Sequence, residues 1–370
     1  MKILSFHPYS IFSNGGGSRI LRRLYQGRES QITGLGVIEG FSSRGPWGNI
    51  REKLVPAWPL QRRWMRWHLR NLGIWMRNRL FKPVTVKRIR EAARKIEYDV
   101  LHVVSHGAYC ATLCTDEFCC GKELWVSFHD HFDTAQCSAH DLGLLWKRAD
   151  RRLVISEEMA AEYTRLFGPS VYELITDGVE TAEIRQPAQQ IGTPVTIYFA
   201  GLLHFEYIPL FEALANALDA LAHRGMAFKL LLRGTGQLGF LAGRSFETEY
   251  RPITLNSADL KAELDAADIL YLPMKFTTPE FYRYSLSTKM VGYLGAPGTI
   301  LYHGPADAAA CRLLEKWDAA VCCGSLDTGD LIACLQQLLG QGRPVSANAK
   351  ALATAQFDLA GIQARFWREK

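Results

Sequence analysis

Short aliphatic and β-branched runs recur along the chain, separated by stretches whose apolar positions return every three or four residues. In the first half the runs predict strands at 2–6, 34–38, 100–105, 124–129, 152–156 and 174–176, with helical patterns at 19–26 and 157–167. The second half repeats the rhythm, with strands expected at 195–200, 228–232, 269–272, 299–302 and 319–322. Helices are expected there at 210–223, 259–267, 288–294 and 306–317, and a last one at 347–365. Strand–helix alternation of this kind builds parallel sheets covered on both faces. Two such series predict two Rossmann-like α/β domains, at 1–186 and 187–346, with 347–370 packing back toward the first. The boundary is expected in the polar stretch 184–194, which holds Pro187, Gly192 and Pro194.

A length of 370 residues supports two sizeable cores, at about 150 residues per domain. No apolar stretch approaches the roughly 18 residues of a membrane span. The run after Met1 is too short for a signal-peptide core, which predicts a cytosolic chain. Nine cysteines, an odd number, argue for reduced thiols rather than a disulfide framework. Cys110, Cys114, Cys119 and Cys120 cluster, but without the paired C-x2-C spacing of zinc sites, so no metal is expected.

The net charge of +6 is unevenly spread. Residues 51–95 hold 14 Lys and Arg against Glu52 and Glu91, which leaves the remainder of the chain net acidic. Placed at about 100° per residue, positions 60–80 set Trp64, Met65, His68, Leu69, Leu72, Trp75 and Met76 on one broad side. Arg63, Arg66, Arg70 and Arg77 gather opposite; Ile74 interrupts that face and Gly73 weakens the helix. A basic helix with Trp and Leu on its apolar side suits an anionic lipid interface, and Trp47 and Trp58 add aromatic anchors nearby. A helix packed on its own domain with solvated arginines has the same pattern. A nucleic-acid role is not expected: the rest of the chain is acidic and carries no recognition motif.

Two segments carry candidate chemistry. The first predicted strand runs into Gly15, Gly16 and Gly17 ahead of a helix, where bare backbone and a helix N-terminus favour an anion or a sugar hydroxyl. A tight strand-to-helix turn uses the same residues, and the spacing is not that of the dinucleotide fingerprint. His129, Asp130, His131, Phe132 and Asp133 follow a predicted strand, at the carboxyl edge where open α/β sheets bind ligands. Capping of a turn, or pairing with Arg151 and Arg152, is the structural alternative.

The order of further segments resembles GT-B glycosyltransferases, of the group 1-like, exopolysaccharide type. Val154-Ile155-Ser156-Glu157-Glu158-Met159 is similar to the family's strand–serine–helix signature, and Ile175-Thr176-Asp177-Gly178-Val179-Glu180 to the element closing its first domain. Tyr198-Phe199-Ala200-Gly201 opens the second domain as the family does. Leu231-Leu232-Arg233-Gly234-Thr235-Gly236 resembles the second glycine loop. Leu264-Asp265-Ala266-Ala267-Asp268-Ile269 with Leu272-Pro273 is similar to "A-D-I-x-L-x-P". Ser287-Thr288-Lys289-Met290-Val291-Gly292-Tyr293-Leu294 looks like the Ser-x-Lys helix of polysaccharide glycosyltransferases. The chain departs from many relatives at Gly292, where a ribose-binding glutamate usually stands, and at Leu202 and Tyr207, where Arg and Lys are usual.

The resemblance implies two facing Rossmann-like domains with a C-terminal crossing helix. It also implies transfer of a sugar from a nucleotide diphosphate sugar to a lipid-linked or polysaccharide acceptor at the inner membrane face. Acceptor binding is expected in the first domain around Gly15–Gly17 and His129, donor binding in the second around Arg233, Gly234, Arg283, Ser287 and Lys289. The donor is a substrate, so no cofactor is expected, and basic side chains with helix ends stand in for a metal at the diphosphate. Asp130 or Asp133 would act as base in an inverting reaction; in a retaining one the leaving phosphate would do so, with His129 at the donor sugar. A nucleotide-sugar epimerase and a non-catalytic binding protein on the same fold are the alternatives.

Overall fold

In the computed structural model, residues 1–40, 49–61, 67–254 and 256–368 are described. The chain divides into two compact units: Met1–Asp177 with Ile362–Lys370, and Gly178–Gly361.

The first unit holds a seven-stranded sheet of β1 (Ile3–His7), β2 (Ile32–Gly40), β3 (Arg51–Gln61), β4 (Val100–Val104), β5 (Glu123–Phe128), β6 (Arg151–Val154) and β7 (Glu173–Leu174). Their order is β3-β2-β1-β4-β5-β6-β7, all neighbours parallel. The second unit holds six: β8 (Val195–Ala200), β9 (Phe228–Arg233), β10 (Glu247–Arg251), β11 (Ile269–Pro273), β12 (Thr299–His303) and β13 (Val321–Cys323). Their order is β10-β9-β8-β11-β12-β13, again parallel throughout. Each sheet reverses its winding once, between β1 and β4 and between β8 and β11, and open sheets bind ligands at the carboxyl side of such a switch point.

Burial on both faces explains why the central strands read as near-continuous apolar runs. In β8, Ile197 and Phe199 pack with Phe211, Leu214 and Leu218 of the helix Ile208–Ala222. Tyr198 points to the other face, among Leu231, Leu270, Leu272 and Met290. In the first unit Phe366 lies within 5.3 Å of the Trp125 and His102 rings, while Phe128, Trp146 and Tyr163 pack together opposite.

Three differences from the sequence reading stand out. Strands β3 and β10 were not anticipated. Both are edge strands, one carrying Pro56 and Pro59 and the other reading Glu-Thr-Glu-Tyr-Arg, and an edge tolerates proline and polar residues that a central strand does not. Instead of one terminal helix at 347–365 there are two, Thr328–Gln356, non-helical at Gln341 ahead of Pro344, and Leu359–Trp367. The division between units falls at Asp177, ahead of the proline-containing stretch, because Val179 joins the second core and the Arg185 amide bonds the Gly295 carbonyl. The last residues join the first unit: the Trp367 indole donates to the Leu24 carbonyl at 2.8 Å, and Gln363 to the Arg23 carbonyl at 2.6 Å.

The basic segment is also arranged differently. The strand β3 covers positions 60 and 61, and the helix is Trp67–Arg79. Arg77, expected on a solvated basic face, is buried and donates to the Pro59 carbonyl at 3.0 Å, whereas Leu69, Leu72 and Trp75 face solvent. Burying the guanidinium against a carbonyl satisfies a donor that an apolar pocket would leave unpaired, and it turns the apolar stripe outward. Trp47, Arg63, Trp64, Met65 and Arg66 lie outside the described residues, as do the side chains of His68 and Arg70. No helix among the described residues is long and apolar enough to cross a membrane.

Candidate active site

At the carboxyl edge of the first sheet, the loop after β1 is fixed from below. Glu52 of β3 accepts from the Ser10 hydroxyl at 2.7 Å and the Ile11 amide at 2.6 Å, and Arg22 donates to the Ile11 and Ser13 carbonyls at 2.7 and 2.9 Å. The loop delivers Gly15, the cap of the helix Gly16–Tyr25, whose N-terminus has no side-chain cap. Gly15 and Gly16 are exposed, and a Cβ on Gly15 would meet nothing within 4 Å. A Cβ on Gly17 would run into the Tyr9 phenol, so a larger residue there would have to displace that ring. The uncapped amides at this turn keep their capacity to meet an anion or a hydroxyl.

Beside that turn stand His106, after β4, and His129 and Asp130, after β5. His106 Nδ1 is 3.7 Å from Asp130 Oδ2, and the Tyr9 and His106 rings meet edge-on at 6.4 Å. His129 is buried with neither ring nitrogen hydrogen-bonded among the described residues. Burial, with the charge of His106 adding to it, holds its imidazole down to about 4, so it is neutral at physiological pH. A neutral imidazole with both nitrogens unsatisfied offers one donor and one acceptor to a polyol. Tyr9 is half-buried, with its hydroxyl shielded from solvent and unpartnered, and burial and Asp130 push the phenol far above its ordinary range.

Of the three carboxyl-edge candidates read from the sequence, His129 and Asp130 are brought together with the glycine turn. Asp133 is half-exposed and pairs instead with His131 at 3.5 Å. Tyr9 and His106 were missed. The signal was present for both, since His106 directly follows the predicted strand 100–105 and Tyr9 stands just past the first predicted strand, at the same carboxyl edge as His129.

The second unit builds its own carboxyl edge. Gly201, after β8, bonds its amide to the Arg233 carbonyl at 2.9 Å and accepts from Thr235 Oγ1 at 3.1 Å, so the two glycine loops lie side by side. Gly234 sits at φ +73, a conformation that favours glycine. Across the switch point Ser287 caps the helix Thr288–Gly295 by accepting from the Lys289 amide at 3.2 Å. Lys289 Nζ lies 3.8 Å from the Phe199 ring centroid, and a Cβ on Gly201 would approach it to 3.0 Å. No carboxylate stands within ion-pair distance of it among the described residues. The residue is half-buried with its ammonium against the Phe199 ring, and burial alone lowers it to about 7.

The other two cations placed here from the sequence are already committed. Arg233 Nε donates to Glu263 Oε2 at 2.6 Å, its Nη2 also bonds Glu263, and Nη1 donates to the Pro252 carbonyl at 2.6 Å. Glu263 further accepts from Arg251 at 2.6 Å and from the Tyr198 hydroxyl at 2.9 Å. Arg283 pairs with Asp307 at 2.7 Å on a half-exposed surface. The geometry therefore gathers Gly201, Gly234, Ser287 and Lys289, while Arg233 and Arg283 serve ion pairs.

Among the described residues, one group converges enough to hold a metal: Cys311, Glu315 and Cys322, with ligand atoms within 4.8 Å of one another. Three ligands are one short of a closed structural zinc site. The thiols first considered separate, Cys110 going to Cys137 and Cys114 to Cys119.

No protein-family model matches the chain, and no curated protein matches it by sequence. Its structure does have close counterparts. The chain is similar to HepE of Anabaena, solved with UDP, at a TM-score of 0.67 and 13% identity, covering 100% of this chain and 99% of that one. It is similar to the trehalose 6-phosphate synthase of Burkholderia multivorans at 0.64 and 11%, covering 100% and 96%. The lipopolysaccharide outer core galactosyltransferase WaaB matches at 0.61 and 12% over the full length of both chains. With two parallel, doubly wound sheets and these counterparts, the chain has the GT-B fold of glycosyltransferases.

Proposed function

We propose that the chain transfers a sugar from a nucleotide diphosphate sugar to a lipid-linked or saccharide acceptor. One observation carries this reading: a half-buried ammonium without a counter-ion among the described residues, at the switch point of the second sheet, beside two glycine loops and a helix N-terminus. Burying that charge alone is costly, and an arriving diphosphate offsets the cost by pairing with it. HepE has been solved with UDP-glucose, which supports a sugar nucleotide as the anion. Lys289 is the proposed diphosphate ligand, helped by the N-terminus of the helix Thr288–Gly295. No metal is invoked, because the lysine and backbone dipoles supply the electrostatic stabilisation of the leaving diphosphate.

In the first unit His129, with its two unsatisfied nitrogens, is the proposed sugar-hydroxyl ligand, and Asp130 with His106 the proposed proton-handling pair. With its imidazole held near 4, His129 is a weak base and suits hydrogen bonding better than proton abstraction. The solvent-facing stripe of Leu69, Leu72 and Trp75 is the proposed contact with an anionic membrane at the cytoplasmic face, charge-matched by Arg79, Lys82 and Lys87.

Incubation with labelled nucleotide sugars, with and without a polyprenyl-phosphate-linked saccharide or a soluble saccharide acceptor, tests the proposal. Label should enter the acceptor, and Asp130→Asn should reduce that transfer by at least about tenfold, as loss of a proton-transfer group does. Conversion of the donor to its epimer without acceptor would favour an epimerase. Absence of any donor turnover alongside retained donor binding would favour a binding protein, a reading to which the sequestered Arg233 lends some weight.

A further inference from the structure

Among the described residues one pair of thiols is in hydrogen-bond contact, Cys110 with Cys137, whereas Cys119, Cys323 and Cys334 bond backbone carbonyls of Leu113, Ser325 and Cys322. Cys120 is exposed. In that pair the Sγ atoms are 3.0 Å apart and both residues are buried.

We propose that Cys110 and Cys137 form a modification site, a dithiol that a low-molecular-weight disulfide such as oxidised glutathione converts to a protein disulfide. A disulfide needs about 2.05 Å between sulfurs, so closure asks each to move by roughly half an ångström. The backbone has already aligned the two loops, because the Gly107 amide bonds the Ala135 carbonyl at 2.7 Å. Cys137 lies in the loop after β5 between exposed Gln136 and Ser138, so a local opening presents it to a small oxidant first. Cys110 is the more deeply placed thiol, and its hydrogen bond to Cys137, then burial, keep it protonated.

The exchange balances in two steps. Cys137 loses its proton to solvent and attacks one glutathione sulfur, forming a mixed disulfide and releasing one glutathione thiolate. Cys110 then loses its proton and attacks the Cys137 sulfur, releasing the second glutathione. The two electrons leave the protein thiols and reduce the glutathione disulfide to two thiols. The product would join the loop that follows β4, with His106, to the loop that follows β5, with His129 and Asp130. A covalent tie there would hold the proposed acceptor-side cluster in one arrangement.

The test treats the folded chain with oxidised glutathione, alkylates the remaining thiols, and maps peptides by mass spectrometry. The expected result is a linked peptide pair containing Cys110 and Cys137, two hydrogens lighter than the free thiols and released by dithiothreitol. In Cys110→Ser, glutathione should remain trapped on Cys137, an adduct that a packing role does not produce. Glutathione confined to Cys120, with Cys110 and Cys137 alkylated only after unfolding, would overturn the proposal.

Discussion

Lys289 and Lys350 present the same physical problem with different neighbours. Burial lowers each ammonium from its ordinary 10.5 to about 7, and no carboxylate lies within ion-pair distance of either among the described residues. Between those two pH values the native protein holds fewer protons than the unfolded chain, so stability rises with pH across that window. Lys289 lies at the proposed donor site; Lys350 lies in the helix Thr328–Gln356 with its Nζ unsatisfied. Lys289→Met and Lys350→Met should each stabilise the unliganded protein at pH 7 by about 1 kcal/mol, measured by denaturant unfolding. Only the Lys289 variant should lose nucleotide-sugar binding; loss in the Lys350 variant would contradict the assignment. The sequence marked Lys289 through its motif, but it gave no sign of the missing counter-ion, which depends on Phe199 and Gly201 being its neighbours.

At the scale of elements, the central strands were legible because burial on both faces forces continuous apolar runs, as in Val195–Ala200 and Ile269–Pro273. The edge strands β3 and β10 escaped because an edge imposes no such pattern. The same limit governed Arg233. Expected just past a strand ending at 232, it is instead the last residue of β9, and its commitment depends on Glu263 in the helix Ser257–Asp265 and on Arg251 at the end of β10, neither visible as a partner from spacing. Glu263 joins strand, edge and helix, so Glu263→Gln should destabilise the chain by about 2–3 kcal/mol by leaving a buried guanidinium uncompensated. Thermal or urea unfolding checks this; a change below about 0.5 kcal/mol, the range of an ordinary surface substitution, would show that the cluster is solvated.

For the molecule as a whole, two doubly wound units, each with its own core, were readable from the alternation of strands and helices alone. The facing of the basic helix was not, since Arg77 turns inward and the apolar stripe outward. If that stripe meets anionic lipid, Leu72→Ser with Trp75→Ser should abolish flotation with phosphatidylglycerol vesicles while leaving donor binding intact. Unchanged flotation would locate the contact elsewhere. The most direct check on the central claim is calorimetric binding of a nucleotide diphosphate sugar from pH 6 to pH 9. With Lys289 held near 7 and required as an ammonium, affinity should fall by up to about tenfold per pH unit above 7, with proton uptake on binding, and Lys289→Met should lose the affinity and its pH dependence together. Binding that is flat across this range, or that survives in the variant, would contradict the account.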